Sequence, residues 1–248
     1  MSIQEMLITF AFEKAYPYIV EQPVIKDHLF KISFILVGSA ATGLCNAESD
    51  VDICLLCDQS TYEAISVGTR WRDGRPTQVV FDGTQLHYYA ISADSLDQKI
   101  SEVDGHTCYV YGNAIVIDDA TGLYKQLAEK IHNPALLSQR FEKEYEMLGR
   151  RKKALHYVMN SDTDPMARVE ICTEIMKRLL ICIALFDGRE CDQRKRLYRT
   201  ALLGPTGIVL KPKIDELFSQ LGVACRTENW EESASFLEGF DYCFDSIS

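Results

Sequence analysis

The segment 37–58, VGSAATGLCNAESDVDICLLCD, constrains the fold more than any other part of the chain. An apolar run over 31–38 predicts a β-strand that ends at Gly38. Ser39 follows directly, and the stretch 39–46 predicts a short helix or turn. A strand that ends on a glycine and turns at once into a helix leaves backbone N–H groups unpaired at the turn.

A second strand is predicted over 50–57, DVDICLLC. Residues i and i+2 of a strand point to the same face of the sheet. We therefore expect Asp50 and Asp52 to project together, while Val51 and Ile53 face the core.

This pattern indicates a site for phosphate and a divalent cation. A glycine lets phosphate approach the backbone, and the N–H groups at a helix start can hold its oxygens together with a serine hydroxyl. Two carboxylates on one face, with no basic residue nearby in the sequence, favour a cation with oxygen ligands such as Mg²⁺. Gly38 and Ser39 are the candidate phosphate-binding residues, and Asp50 and Asp52 are the candidate metal ligands.

The rest of the N-terminal half continues as mixed α and β structure. Two apolar runs, 77–81 and 84–91, flank Asp82 and Gly83, and Asp-Gly between such runs predicts a β-hairpin. The stretch 107–118, TCYVYGNAIVID, predicts a further strand, with Gly112-Asn113 as a possible point of interruption.

From about residue 119 onward the sequence shows only helical periodicity. A first helix is also predicted over 3–21, and the later helices are predicted over 120–131, 135–159, 165–186, 191–203, 211–221 and 227–246. Strands followed by a run of helices predict an α+β fold. We expect a mixed sheet with flanking helices over 1–133 and a helical bundle over 134–248.

Composition and charge limit the classes of partner that we expect this chain to bind. The formal net charge of the 248 residues is -10, which argues against clamping long nucleic acid, since phosphate contacts need clustered Lys and Arg. That charge suits a cationic small substrate. The N-terminus lacks the pattern of a signal peptide, and no apolar run approaches the ~20 residues that span a bilayer. We expect a cytoplasmic protein that does not bind membranes.

Nine cysteines are present, most of them among apolar neighbours. Without a secretion signal, reduced and buried thiols are the natural interpretation. Cys54-x-x-Cys57 suggests zinc or redox chemistry by its spacing, but it lies inside a predicted strand and lacks a second pair at zinc-like spacing. We interpret it as structural.

The combination of Gly38-Ser39, a short helix and Asp50-x-Asp52 on the next strand resembles the DNA polymerase β-like nucleotidyltransferase superfamily. The stretch 43–56, GLCNAESDVDICLL, is also similar to noncanonical poly(A) and uridylyl transferases. The later stretch, through 115–127 (IVIDDATGLYKQL) and the helical tail, is more similar to small-molecule and antibiotic adenylyltransferases.

The resemblance implies a Mg²⁺-dependent enzyme that transfers a nucleoside monophosphate from a nucleoside triphosphate, ATP foremost, to a hydroxyl of a small-molecule acceptor and releases pyrophosphate. It implies that Gly38-Ser39 holds phosphates and that Asp50 and Asp52 hold the metal. Two alternatives stay open: an RNA 3′-end nucleotidyltransferase, and a degenerate member that binds nucleotide without turnover.

The family usually supplies a third carboxylate from a later strand, and the matching strand here, 84–91, contains no Asp or Glu. Gln85, His87 and Tyr89 share one face of that strand. We take His87 as a catalytic candidate, either a metal ligand or a general base. The alternative is a polar residue on an exposed hairpin face.

Further candidates lie in the helical half. In similar transferases a lysine on a helix of the second domain contacts the triphosphate, and Lys195 fits that role, although a solvated helix face would look the same. Some relatives take their base from a helix of that domain. The candidates, each of which could equally be a surface residue, are Glu144, Glu146, Glu170 and Glu174.

Overall fold

The computed structural model describes residues 1–81, 83–161, 164–191, 197–227, 230 and 233–248. The chain forms two compact units, Met1–Asn133 and Pro134–Ser248. Within the described ranges, no helix is both long enough and apolar enough to cross a membrane.

The first unit opens with a helical segment. Helix α1 covers Ile3–Phe10, a π-helical turn covers Ala11–Ala15, and helices α2 and α3 cover Tyr16–Val20 and Pro23–Lys26. Ser2 and Glu5 form a reciprocal capping box that satisfies backbone N–H groups at the start of α1.

A five-stranded mixed sheet forms the centre of this unit. Its strands are β1 (Ile32–Val37), β2 (Val51–Cys57), β3 (Thr77–Phe81), β4 (Thr84–Ser92) and β5 (Ile115–Asp118). The order across the sheet is β3-β4-β2-β1-β5. Strands β2 and β4 are parallel, and the other neighbours are antiparallel. The predicted α+β class with a mixed sheet is confirmed.

Helices and short turns connect the strands. The helices are α4 (Gly38–Thr42), α5 (Gln59–Ile65), α6 (Ala93–Ser101), α7 (Gly105–Gly112) and α8 (Leu123–Ile131), with 3₁₀ turns at Leu29–Lys31 and Trp71–Asp73. The strand predicted over 107–118 is wrong in its first half, where α7 lies. Asp104 accounts for this, because its carboxylate accepts from the backbone N–H of Thr107 at 3.0 Å and so caps a helix.

The sheet has two differently covered faces. On one face an apolar core packs beneath the N-terminal helices, and it includes Leu36, Ile53 and Leu86. Helices α6, α7 and α8 pack together, with α6 against β4 and α8 against β1 and β2. Both β1 and β2 are buried along nearly their whole length, so they hold the site next to them rigidly.

The second unit is helical, as predicted. Its helices are α9 (Pro134–Met159), α10 (Pro165–Phe186), α11 (Leu197–Ala201), α12 (Pro205–Thr227) and α13 (Ser233–Asp245). The helix predicted over 211–221 extends back to Pro205, because Asp187 caps its start by accepting from the N–H groups of Thr206 and Gly207, each at 3.1 Å. The helix predicted over 191–203 falls partly outside the described residues.

Candidate functional site

The site is built on the parallel pair β2 and β4. In their register Asp52 is the partner of His87, and Cys54 is the partner of Tyr89. Partners on neighbouring strands point to the same face of a sheet. The pairing therefore brings the aspartates and His87 together, although they are distant in the sequence.

His87 contacts both aspartates through one ring nitrogen. Its Nδ1 lies 2.9 Å from Oδ2 of Asp50 and 3.4 Å from Oδ1 of Asp52. One ligand atom from each of the three residues lies within 4.8 Å of the other two. The His87 side chain is only 15% exposed, so its interpretation as an exposed hairpin residue is wrong.

Gly38 lies against the Asp52 carboxylate. Its φ angle is +74°, which favours glycine, and a Cβ added there would collide with Oδ2 of Asp52. The antiparallel pairing of Val37 with Asp52 brings the glycine to this point. A side chain at position 38 would thus displace the Asp52 carboxylate.

Ser39 is half-buried in the first turn of α4, directly after this glycine. The loop between α4 and β2 is fixed by its own hydrogen bonds. Asn46 accepts from the Glu48 N–H at 3.0 Å, and the Asn46 N–H donates to the Ser49 hydroxyl at 2.9 Å. These turn contacts set the direction from which the chain reaches Asp50.

A buried polar layer lies beside the aspartates on the same face. The Tyr89 and Tyr111 hydroxyl oxygens lie 3.2 Å apart, and the Cys54 thiol contacts the Tyr111 hydroxyl at 4.0 Å. Burial raises the pKa of all three groups, so they stay neutral beside the carboxylates. Sequence reasoning missed Tyr111 because it placed this residue on a strand rather than on α7.

Cys54 and Cys57 do not form a pair. Residues i and i+3 of a strand face opposite sides of the sheet. Cys54 contacts the tyrosine layer, whereas the Cys57 thiol contacts the Ile91 carbonyl oxygen, and both are buried. This geometry agrees with the structural interpretation of the motif.

The candidate residues of the helical half are the lysine and the four glutamates named from the sequence. Lys195 lies outside the described residues. Three of the four glutamates form ion pairs within the second unit: Glu144 with Arg178 at 3.0 Å, Glu146 with Arg150 at 2.5 Å, and Glu174 with Arg151 at 3.1 Å. Such pairing gives these three a structural reason to be present.

The trio of Asp50, Asp52 and His87 fits a divalent cation by its chemistry. Two carboxylates held this close repel each other unless a positive charge lies between them. Within the described ranges, no Lys or Arg forms an ion pair with Asp50. A cation would bind the carboxylate oxygens and the facing ring nitrogen.

Part of the first unit is similar to a known protein family. Residues 21–126 match the family model for the nucleotidyltransferase domain. The matched stretch includes Gly38, Asp50, Asp52 and His87. This match to a nucleotidyltransferase domain supports nucleotide transfer as the general activity.

A solved structure shares the fold. It is a nucleotidyltransferase-like protein from Exiguobacterium sibiricum 255-15, with a TM-score of 0.53 and 12% sequence identity. The alignment covers 97% of this chain and 75% of that one. No curated protein matches the chain.

Proposed function

We propose that this protein transfers a nucleoside monophosphate from a nucleoside triphosphate, ATP foremost, to a hydroxyl of a small-molecule acceptor and releases pyrophosphate. The observation that carries the proposal is the contact of Asp50, Asp52 and His87 beside Gly38, inside the stretch that matches the nucleotidyltransferase domain. We assign 1–133 as the catalytic domain and 134–248 as a helical domain.

In this proposal the two aspartates hold Mg²⁺ together with the triphosphate oxygens. Bound there, Mg²⁺ supplies charge neutralisation for the transferring phosphoryl group and the leaving pyrophosphate. Gly38 allows the nucleotide phosphates to approach the backbone, and the Ser39 hydroxyl donates to a phosphate oxygen. Positioning and electrostatic stabilisation then account for most of the rate, as in phosphoryl transfer generally.

The reaction is an in-line displacement. The acceptor oxygen forms a bond to the α-phosphorus, and the bond from that phosphorus to the bridging oxygen breaks, so the pyrophosphate carries away the electron pair. The acceptor hydroxyl gives up its proton to solvent water as the new bond forms. We propose that Lys195, which lies outside the described residues, binds the triphosphate.

A small acceptor is supported by the charge of the chain. The net charge of -10 disfavours a long polyanion and favours a cationic acceptor, such as an amino sugar with free hydroxyls. The resemblance to antibiotic adenylyltransferases likewise implies a small-molecule acceptor. The proposal also includes a cytoplasmic location, where thiols stay reduced.

Pyrophosphate release tests the proposal. The purified protein is incubated with each of the four ribonucleoside triphosphates, Mg²⁺ and a panel of hydroxyl-bearing amino sugars, and the acceptor is analysed for a gain of one nucleoside monophosphate. We expect release with ATP that depends on both acceptor and Mg²⁺. RNA oligonucleotides replace the amino sugars in a parallel series, and extension of the RNA alone would contradict the small-molecule acceptor.

A second candidate function is nucleotide binding without transfer. The specific observation in its favour is that the third position of the site carries the imidazole of His87. This candidate predicts Mg²⁺-dependent ATP binding by calorimetry with no pyrophosphate release for any acceptor. Acceptor-dependent release would exclude it.

A further inference from the structure

We propose that the exposed face of helix α9 is an interface at which two copies of this chain associate, with their α9 helices antiparallel across a two-fold axis. The inference goes beyond the transfer reaction and rests on the second unit alone. Its occupant is a second copy, because the charges along this face complement those of the same face turned end for end.

A shallow groove with a volume of about 530 Å³ runs along α9 and marks this face. Its lining residues all belong to that one helix, and they lie between Phe141 and Lys153. Glu142 and Lys153, near its two ends, are separated by about 16 Å along the helix at the rise of one residue. A groove that is open along a helix has the shape that another helix packs into.

Aromatic rings form the floor of the α9 groove. The Phe141 and Tyr145 rings stack with their centroids 5.5 Å apart, and Tyr145 also stacks on Phe244 at 4.9 Å. Phe141 contacts Phe186 at 5.6 Å. Phe141 and Tyr145 are partly exposed, so the groove presents apolar surface that its own unit already holds in place. Such a preformed surface loses little conformational entropy when a partner binds.

Gly149 interrupts the row of large side chains in the groove. Glycine is less favourable than alanine inside a helix, because its backbone loses more freedom on folding. Packing within the chain does not require a glycine here, since a Cβ would lie 3.8 Å from Cζ of Phe244, an ordinary contact distance. The absence of a side chain lets a second helix approach closely, because the side chains at a contact set the distance between helix axes.

The charges along the α9 groove are separated by sign. Glu142 lies at its N-terminal end and Lys153 at its C-terminal end, and both are exposed. Neither forms an ion pair in the part of the chain that the structure describes. Between them Glu146 and Arg150 pair with each other at 2.5 Å. The groove therefore has one unpaired negative end and one unpaired positive end.

A two-fold axis makes these two ends complementary. In a symmetric dimer of this kind, a contact of residue i with residue j occurs twice. An axis that crosses α9 midway between positions 142 and 153 places Glu142 of each copy opposite Lys153 of the other. Parallel helices would place like charges together. Charge complementarity therefore favours the antiparallel dimer.

Charge reversal, followed by sedimentation equilibrium of the full chain, tests the proposal. We expect the wild type to show a monomer–dimer equilibrium that depends on concentration. Glu142→Lys and Lys153→Glu should each weaken dimerisation by about 10-fold, because each replaces two opposite-charge contacts with two like-charge contacts. The variant that carries both changes should recover most of the lost affinity, since the opposite-charge contacts return with reversed polarity.

Glu170→Lys and Lys177→Glu are the matched controls, because they reverse exposed charges on α10 of the same unit. Both should keep the wild-type dimer affinity. Gly149→Leu is an independent variant that should prevent dimerisation by blocking the close approach of the helices, and circular dichroism checks that it keeps its helical structure.

Three results would overturn the proposal. The first is a wild-type chain that stays monomeric up to its highest soluble concentration. The second is a dimer that both single charge reversals leave unchanged. The third is a double variant that dimerises no better than the single variants, because the contacts across the axis would then not be those of Glu142 with Lys153.

Discussion

Asp52 and His87 are register partners on parallel strands, and Nδ1 of the histidine lies 3.4 Å from Oδ1 of the aspartate. The same nitrogen lies closer still, at 2.9 Å, to Asp50. The imidazole thus occupies the position beside the aspartates where the resemblance implied a third carboxylate. This relationship defines the site and motivates the first prediction.

Asp50→Asn and Asp52→Asn should each weaken Mg²⁺-dependent ATP binding by at least about 10- to 100-fold, a loss seen even when groups behind metal ligands are removed. An amide keeps the size of the side chain but lacks the charge that holds a divalent cation. Calorimetry with ATP and Mg²⁺ measures the affinity, and circular dichroism checks the fold.

Asp73→Asn is the control for both variants, because Asp73 is an exposed aspartate of the same unit. It should leave ATP affinity unchanged. Wild-type affinity in both Asp50→Asn and Asp52→Asn would contradict the metal assignment.

Gly38→Ala should destabilise the protein and also weaken Mg²⁺-dependent ATP binding. The left-handed backbone at this position costs a residue with a Cβ about 1–2 kcal/mol, and the new methyl group would also displace the Asp52 carboxylate. Urea unfolding and ATP calorimetry measure the two effects separately.

The variant Gly68→Ala distinguishes the effect of backbone strain from the effect of displacing the Asp52 carboxylate. Gly68 has the same φ of +74°, and a Cβ there would meet nothing within 4 Å. Gly68→Ala should lose stability through the left-handed backbone conformation alone, and its ATP affinity should stay normal. If Gly68→Ala lost ATP binding as strongly as Gly38→Ala, general destabilisation would explain both variants.

Because of Tyr16, the free energy of unfolding should depend on pH in the alkaline range. Burial, together with the hydrogen bond that its hydroxyl donates to Asp118 at 2.9 Å, raises the pKa of Tyr16 from 10.0 to about 12. The folded state holds this proton more tightly than the unfolded state. The stabilisation is therefore complete below pH 10 and is lost as the pH rises through about 12.

Tyr16→Phe should lower stability at neutral pH by roughly 1 kcal/mol through the lost hydrogen bond. The difference in free energy of unfolding between this variant and the wild type should shrink between pH 10 and 12. Urea unfolding at each pH measures it. Tyr157→Phe, at a residue that is 73% exposed, is the control and should show no such convergence. A constant difference across this range would refute the raised pKa.

Arg140 and Glu190 form a buried ion pair in the helical unit, and the arginine side chain is only 2% exposed. Arg140→Met should lower stability by about 3–5 kcal/mol, because it leaves a carboxylate buried without this partner. Combining it with Glu190→Met should recover most of the loss, as measured by urea unfolding.

Arg150→Met tests an exposed arginine of the same helix, 74% exposed and paired with Glu146. It should cost little, since exposed ion pairs contribute little to stability. An equal loss in the single Arg140→Met variant and the double variant would show that the unpaired charge is not the cause.

Most elements with a clear local pattern followed from the sequence. The β3–β4 hairpin, strands β1 and β2 and the helical second unit all appear as predicted. The error at 107–112 arose because Thr, Cys, Val and Tyr suit a strand in composition, while the cap at Asp104 and packing against α6 and α8 favour a helix. Propensity is a weak signal where tertiary packing decides.

The sequence by itself determined that Asp50 and Asp52 project together next to a glycine turn, because strand geometry fixes which residues share a face over two positions. Only the tertiary structure decided that His87 is the third member, since the parallel pairing of β2 with β4 joins segments distant in the chain. The tertiary structure also explains why position 38 must be glycine, because the Asp52 carboxylate lies where a Cβ would be. Both are non-local contacts, set by sheet register and packing, which local periodicity does not encode.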